Sequence, residues 1–331
     1  MWLRCATIIA AFAPFCISAF SQTRSGKAME FLDVPQVTRL VGSGGMHATT
    51  GVSTPSMVFH NPAAVTDTIN GTVSLTISPV TEGIKYASGA YTFTLSNIGC
   101  LTGGLLYAGY GNFTRTDEQG NEMGQFTANE GALYLSYSRE MAPWLRLGAT
   151  FKPMYSKMAD YSSFALAMDF GADLSFAEGR LKTALSIRNI GAVVKKYSEE
   201  DTRSALPADI KIGFAYKAEH APFRILITLK DLTDWDIAAN GEKLNVGDNI
   251  LRHTLIGLEF TPVKAFYFAF GYDQRTRRDQ ISSDSGGMAG FSWGAGLHVA
   301  KIDIQYSHSR YHSAGSLNSI TLATNWRKWV K

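Results

Sequence analysis

The sequence predicts an all-β fold, a fourteen-stranded antiparallel transmembrane β-barrel with an N-terminal plug segment, and three observations carry that expectation. The first is strict alternation, which recurs in about fourteen segments where helical spacing is hard to find. From Phe164 the even positions read Phe164, Leu166, Met168, Phe170, Ala172, Leu174 and Phe176, whereas the odd ones read Ala165, Ala167, Asp169, Gly171, Asp173 and Ser175. Successive strand residues point to opposite faces, so one face is apolar and the other small or charged. Leu181, Thr183, Leu185 and Ile187 oppose Lys182, Ala184, Ser186 and Arg188 in the same way, and Phe266, Phe268, Phe270 and Tyr272 oppose Ala265, Ala269, Gly271 and Asp273. The second observation is a secretory leader, and the third is a regular exchange of long and short connections.

Composition narrows the alternatives. The chain has 331 residues, 45% hydrophobic, 12% aromatic and 18% charged, a balance that leans away from disorder. Beyond the first twenty residues no apolar run approaches the 18 or so that a membrane helix needs, which excludes a helical bundle. The net charge of +3 is spread along the chain, so no basic block is available to grip phosphates and nucleic acid is not an expected partner. A soluble sandwich would fill its inner face with large apolar groups. The small, mixed-charge face found here suits the lumen of a membrane barrel whose apolar face meets lipid.

Taken in order, residues 1–21 have a lone cation at Arg4, an apolar stretch from Cys5 to Ile17 and small residues before Gln22, the layout of a cleaved signal peptide. Removal of the leader takes Cys5 and Cys16 and leaves only Cys100, so neither an internal disulfide nor a cysteine metal site is expected. Residues 22–70 do not alternate and carry turn formers, among them Pro35, Gly42, Gly44, Gly45, Pro55, Asn61 and Pro62. Insertion of this segment into a lumen lined by Gly, Ala and Ser is the favoured expectation. The barrel then occupies residues 71–331, with strands beginning near residues 71, 84, 98, 131, 144, 163, 180, 209, 223, 251, 264, 287, 300 and 316. Long loops near 111–130, 191–208, 233–250 and 274–286 alternate with short turns near 140–143, 177–179, 218–222 and 262–263. That asymmetry predicts extracellular long loops and periplasmic termini in a bacterial outer membrane. Trp144, Tyr155, Tyr272, Tyr311 and Trp326 fall near strand ends, where interfacial girdles lie. Inward charges of both signs, Arg146, Lys152, Lys182, Arg188, Lys211 and Lys301 with Asp169, Asp173, Glu259 and Asp303, are placed to pair with one another and with plug groups, or simply to line a solvated lumen.

Enzyme and metal signatures are weak. Gly290-Phe291-Ser292-Trp293-Gly294 fits a nucleophile elbow, but that motif needs a strand-to-helix turn, and here it sits inside an alternating run with Ser292 on the small face. His308 and His312 are four apart, a chelating interval on a helix but about 13 Å on a strand. Gly42, Gly44 and Gly45 lack the Gly-Lys-Ser or Gly-Lys-Thr that completes a phosphate loop. No catalytic, metal-binding or cofactor-binding residues are assigned, and no cofactor is expected.

Several segments resemble a known family. Phe31-Leu32-Asp33-Val34-Pro35, Arg39-Leu40, Gly44-Gly45 and Asn61-Pro62-Ala63 resemble the plug region of the PorV/PorQ barrels of type IX secretion, relatives of the FadL fatty-acid channels. Gly111-Asn112-Phe113, Phe126-Thr127-Ala128-Asn129-Glu130, Arg188-Asn189-Ile190-Gly191, His220-Ala221-Pro222-Phe223-Arg224 and Ala289-Gly290-Phe291-Ser292-Trp293-Gly294 extend the resemblance over nearly all of the mature chain. It implies a FadL-like barrel whose plug motif is Pro35, Arg39, Gly44, Gly45, Asn61, Pro62 and Ala63. It also implies a non-catalytic anchor for a PorZ-like surface protein and other type IX attachment-complex subunits. The loop holding Asn112, Asp117, Glu118, Asn121, Glu122 and Glu130 is then the first expected contact surface, with a plain solvated loop as its alternative. Arg275, Arg277 and Arg278 are candidates for lipopolysaccharide phosphates, or serve loop solubility. The competing function is a FadL-like channel for a small hydrophobic molecule, gated by the plug.

Overall fold

The computed structural model describes residues 27–329, apart from 81–82, 202–204, 236, 238–244, 282–286 and 313–314. The leader lies outside the described residues. Fourteen strands close on themselves: β1 (Thr72–Pro79), β2 (Lys85–Leu95), β3 (Gly99–Thr116), β4 (Glu122–Ala142), β5 (Leu145–Met158), β6 (Tyr161–Phe176), β7 (Leu181–Lys195), β8 (Asp209–Lys217), β9 (Phe223–Leu229), β10 (Thr254–Val263), β11 (Phe266–Asp273), β12 (Phe291–Val299), β13 (Ile302–His312) and β14 (Gly315–Asn325). Each pairs antiparallel with its sequence neighbour, and β1 pairs with β14 in the register Leu75↔Leu322. Closure gives every strand a paired neighbour on both sides, the condition for crossing hydrocarbon without an open sheet edge.

The faces follow the alternation. Leu75 and Ile77 are exposed while Ser74, Thr76 and Ser78 are buried, and Leu133 and Leu135 are exposed while Ala132, Tyr134 and Ser136 are buried. Large apolar groups therefore point outward and small or polar ones inward, the inverse of a soluble core. Trp144, Phe176, Tyr216 and Trp326, all exposed, cluster at the ends joined by short turns. Trp326 N–H donates to the Gly71 carbonyl at 3.1 Å, so both ends of the barrel meet at that rim.

Several connections differ from expectation. Residues 111–130 are mostly strand: β3 runs to Thr116, β4 starts at Glu122, and only 117–121 turn. Glycine-rich sequence hid this ladder, which continues as Phe113↔Phe126 and Arg115↔Gly124 past a bulge at Gly109/Asn112. The stretches expected as loops at 233–250 and 274–286 contain helices. In chain order, helix α1 is Thr38–Gly42 in the N-terminal segment, α2 is Val246–His253 and α3 is Gln274–Ile281. Accordingly β10 begins at Thr254 and β12 at Phe291, a few residues later than the alternation places them.

Residues 27–70 fill the lumen. α1 packs on β11 to β14, the 3-10 turn Pro55–Phe59 on β1 to β4, and the turn Pro62–Ala64 on β4 to β6. Thr54 caps the first of these turns by accepting from Ser56 N, and Asn61 caps the second by accepting from Ala63 N, each with Pro at the first helical position.

Candidate functional site

The candidate site is the plugged lumen. Plug backbone reaches the wall so closely that the wall must be glycine there. A Cβ on Gly271 would lie 1.9 Å from Gly44 N, one on Gly171 2.0 Å from Asn61 Oδ1, and one on Gly148 2.6 Å from Ala63 N. Gly44 itself has φ +119, a conformation that L side chains rarely adopt. The elevated lumen-facing glycine content is therefore a seat for the plug.

Charge locks that seat. Arg39 donates Nε and Nη2 to the two carboxylate oxygens of Glu259 at 2.8 and 2.9 Å, and Arg224 Nη1 donates to Glu259 Oε2 at 2.7 Å. Glu259 is fully buried, and the Arg39 guanidinium lies 3.9 Å over the Tyr267 ring. Such a two-pronged fork combines charge with fixed geometry. Neutral bonds support it. Thr38 Oγ1 meets Thr321 Oγ1 at 2.6 Å, Ser292 Oγ donates to the Gly42 carbonyl at 3.2 Å, and Ser186 Oγ donates to the His60 carbonyl at 2.7 Å. Arg188 Nη2 donates to the Leu32 carbonyl at 2.9 Å. Among wall charges, Lys152 pairs with Asp169 at 2.6 Å, Lys211 with Asp209 at 3.0 Å and Lys230 with Asp273 at 2.7 Å. Asn189, at φ 59, bulges β7 so that its N–H reaches Asp169 Oδ1 at 2.7 Å.

The plug carries two buried histidines. His47 Nε2 lies 2.8 Å from the Ser43 carbonyl and Nδ1 lies 3.0 Å from Thr228 Oγ1, contacts that a single neutral tautomer satisfies. Burial pushes His47 down to about 4 and His60 well below the usual imidazole range. A displaced plug returns both to the ordinary value near 6.5, so it binds more protons than the seated plug, and seating weakens as pH falls from about 6.5 toward 4. Asp33, raised by burial to about 6, acts in the opposite sense below that pH. With two histidines against one carboxyl, proteolytic release of the N-terminal segment is expected to accelerate on acidification, and His47→Gln is expected to flatten the profile. A pH-independent rate in the parent protein contradicts this.

The other half of the interface is apolar. Phe31, Leu32, Val34, Val58 and Phe59 of the plug pack on Tyr86, Leu106, Tyr134, Met154 and Leu317 of the wall, and Phe59 meets Tyr134 edge to face at 4.8 Å. Behind this stripe the β4–β5 ladder skips two bridge positions. The β4–β5 register is the same on both sides, Ala132↔Met154 and Leu135↔Phe151, with no bridge pair at the two positions between them. Pro153 lies opposite Leu133 in this register and has no N–H to donate. A cavity of about 450 Å³ sits beside it on the outer surface, lined by Leu105, Tyr107, Gly131, Leu133, Tyr155 and Phe164 among others.

The plug residues Pro35, Arg39, Gly44, Gly45, Asn61, Pro62 and Ala63 all lie in the lumen segment, and Arg39, Gly44, Asn61 and Ala63 make the close wall contacts described above. The expected contact loop is different. Glu130 is buried on the lumen face beside Tyr110, whose hydroxyl it accepts, and Asn112 and Glu122 are strand residues. Asp117 organises the turn, accepting from Gln119 N and Asn121 N at 3.0 and 2.8 Å and from Asn121 Nδ2 at 2.9 Å. Only Glu118 and its neighbours project from the tip. Arg275 is engaged by Asp231 at 2.8 Å and Asp279 at 3.6 Å, and Arg277 donates to the Gly287 carbonyl. These two guanidiniums hold the loop together, which leaves Arg278 of the expected trio. Ser292, bonded to the plug, faces the lumen from a strand rather than an elbow. His308 Nδ1 lies 2.8 Å from Asn318 Oδ1. Among the described residues, no group of three His, Cys, Asp or Glu is placed for a metal. The plug–wall partners Thr38, His47 and His60 escaped sequence reading, because nothing local marks a residue whose partner lies up to 283 positions away.

A closed fourteen-stranded wall with an apolar exterior and an occupied lumen defines an integral barrel of the outer-membrane type. Solved structures with this fold include the toluene transporter TodX of Pseudomonas putida, at 9% identity and TM-score 0.57 over 88% of this chain and 99% of that one. The CymD monoaromatic hydrocarbon channel matches at 11% identity and TM-score 0.53 over 89% and 97%. A FadL homologue from Pseudomonas aeruginosa matches at 10% identity and TM-score 0.50 over 88% and 100%. No family model matches the sequence, and no curated protein does.

Proposed function

We propose that this chain is an outer-membrane channel that admits a small hydrophobic molecule, with the N-terminal segment as its gate. The observation that carries the reading is the apolar inner stripe covered by the plug, since a pore for hydrophilic solutes has a polar lumen. Displacing the plug bares that stripe on the inner side of β4 and β5, whose outer side carries the cavity. The fold is shared with proteins described as a toluene transporter and a monoaromatic hydrocarbon channel, which makes monoaromatic hydrocarbons the first probe. Uptake of labelled toluene into proteoliposomes is expected to exceed that of protein-free vesicles. Gly131→Leu, which fills the outer cavity, is expected to lower uptake several-fold without changing heat stability. No difference between parent and empty vesicles contradicts the proposal.

A second reading has its own observation. The β3–β4 hairpin outreaches its neighbours: β4 has no partner on β5 before Ala128, and β3 has none on β2 beyond Gly109. It carries Phe113 stacked on Phe126 at 5.3 Å and an exposed Met123. An apolar projection of this kind suits a protein partner, and supports an anchor for a PorZ-like subunit of a type IX attachment complex, with lipopolysaccharide nearby. Deleting 116–125 is then expected to release the partner into the medium while the barrel stays folded. Unchanged retention removes this hairpin from the reading.

A further inference from the structure

We infer that helix α2 is part of the membrane-facing wall, with its outer face in the acyl chains of the outer leaflet. The inference rests on the outer-membrane reading of the barrel. β9 has seven residues, Phe223–Leu229, where a transmembrane strand takes about 9 to 11. At about 3.3 Å per residue and a tilt near 40°, β9 supplies roughly 18 Å of height against an apolar band of about 25 Å. Leu229 pairs with Thr254, the first residue of β10, and α2 ends at His253 immediately above that pair. The helix therefore stands on the extracellular rim where the wall is lowest.

Its faces are arranged like those of the strands. Along an α-helix each residue advances about 100°, which puts Val246, Gly247, Ile250 and Leu251 on one side and Asp248, Asn249, Arg252 and His253 on the other. The polar side is the one turned to the protein. Asn249, Arg252 and His253 are buried, whereas Val246, Ile250 and Leu251 are 70%, 43% and 49% exposed. A surface helix in water has the reverse arrangement. The polar face is also fixed: Arg252 pairs with Asp279 of α3 at 3.1 Å, His253 Nδ1 lies 2.7 Å from the Lys230 carbonyl, and Asn249 Nδ2 donates to the Trp235 carbonyl at 2.5 Å. Rolling the helix to bury its apolar side breaks all three contacts.

Lipid is the occupant the surroundings favour. Ile225 and Ile227 of β9 and Ile256 and Leu258 of β10, directly below, are exposed members of the outward apolar band, so the helix face continues that band. Trp235 stacks on His253 at 5.0 Å and is itself half exposed, the position and chemistry of an interfacial anchor. Polar inside and apolar outside is the rule for strands in this molecule, and α2 obeys it where the strand stops.

The test is spin-label accessibility in the full barrel reconstituted in phosphatidylcholine vesicles, with single cysteines introduced as Ile250→Cys, Val246→Cys, Leu258→Cys and Gln119→Cys. Parent protein, whose Cys100 is buried, serves as the blank, and only heat-modifiable, folded material is measured. The label at Leu258→Cys is expected to favour oxygen over a water-soluble nickel chelate, and Gln119→Cys the reverse. The inference predicts that Ile250→Cys and Val246→Cys behave like Leu258→Cys. If both behave like Gln119→Cys, or are shielded from both reagents by protein, the helix does not face lipid and the inference falls. If Leu258→Cys itself reports water, the membrane reading of the barrel fails first, and the two failures are thereby separated.

Discussion

Replacing Glu259 by Gln is expected to unseat the plug. The carboxylate is the shared anion of Arg39 and Arg224, both mostly withdrawn from solvent, and removing one member of a buried ionic cluster strands the rest at a cost of about 3–5 kcal/mol. Much of that cost is relieved if the plug leaves, carrying Arg39 into water. Since about 1.4 kcal/mol is tenfold in an equilibrium, even the lower figure raises the displaced fraction by about a hundredfold. The measurements are protease release of the N-terminal segment and toluene uptake, both expected to rise while the barrel keeps its heat stability. Glu259→Asp, which preserves the charge, is expected to restore much of the seating. Equal release from parent and E259Q protein contradicts the latch.

Gly271→Val is expected to have a comparably large effect through shape alone. Even a bare Cβ there lies 1.9 Å from Gly44 N and 2.0 Å from the Ser43 carbonyl carbon, and backbone has no rotamer with which to yield. Overpacking a well-fitted contact costs typically about 1–3 kcal/mol, and a backbone clash lies at the upper end or beyond. Gly171→Ala, with its Cβ 2.0 Å from Asn61 Oδ1, strikes the opposite side of the seat and is expected to act in the same direction. Gly103, whose Cβ meets nothing within 4 Å, is the control: Gly103→Ala is expected to leave plug release and uptake at the parental level. Similar release from all four proteins contradicts the glycine seat.

The strand faces were legible because a period of two is written in consecutive residues. The pattern placed Phe268 and Phe270 outward and Ala269 inward, as found. Connections were less legible. In 111–130 the turn-forming glycines overrode the alternation, yet Glu130 shares parity with Ala132 and Tyr134, a signal that places it on the lumen face. Helix α2 is not legible in the sequence, because eight residues are too few to establish a helical period. The partners of the plug are the least legible part. Small residues on the lumen face were visible, but not that Gly271 awaits Gly44 or that Glu259 awaits Arg39, because those contacts join residues more than 200 positions apart. Composition reports that a lumen is narrow, whereas only the folded chain reports what fills it.

On the proposed channel function, the plug must move for a hydrophobic molecule to pass. Thr38 of α1 and Thr321 of β14 face each other with their hydroxyls 2.6 Å apart, close enough for the pair Thr38→Cys and Thr321→Cys to bond across the seat. Toluene uptake by proteoliposomes carrying this double variant, measured before and after reduction with dithiothreitol, tests the claim directly. Uptake is expected to fall near the empty-vesicle level when oxidised and to return to the parental rate on reduction. Equal uptake in the two redox states, with the disulfide verified by mass, would contradict it.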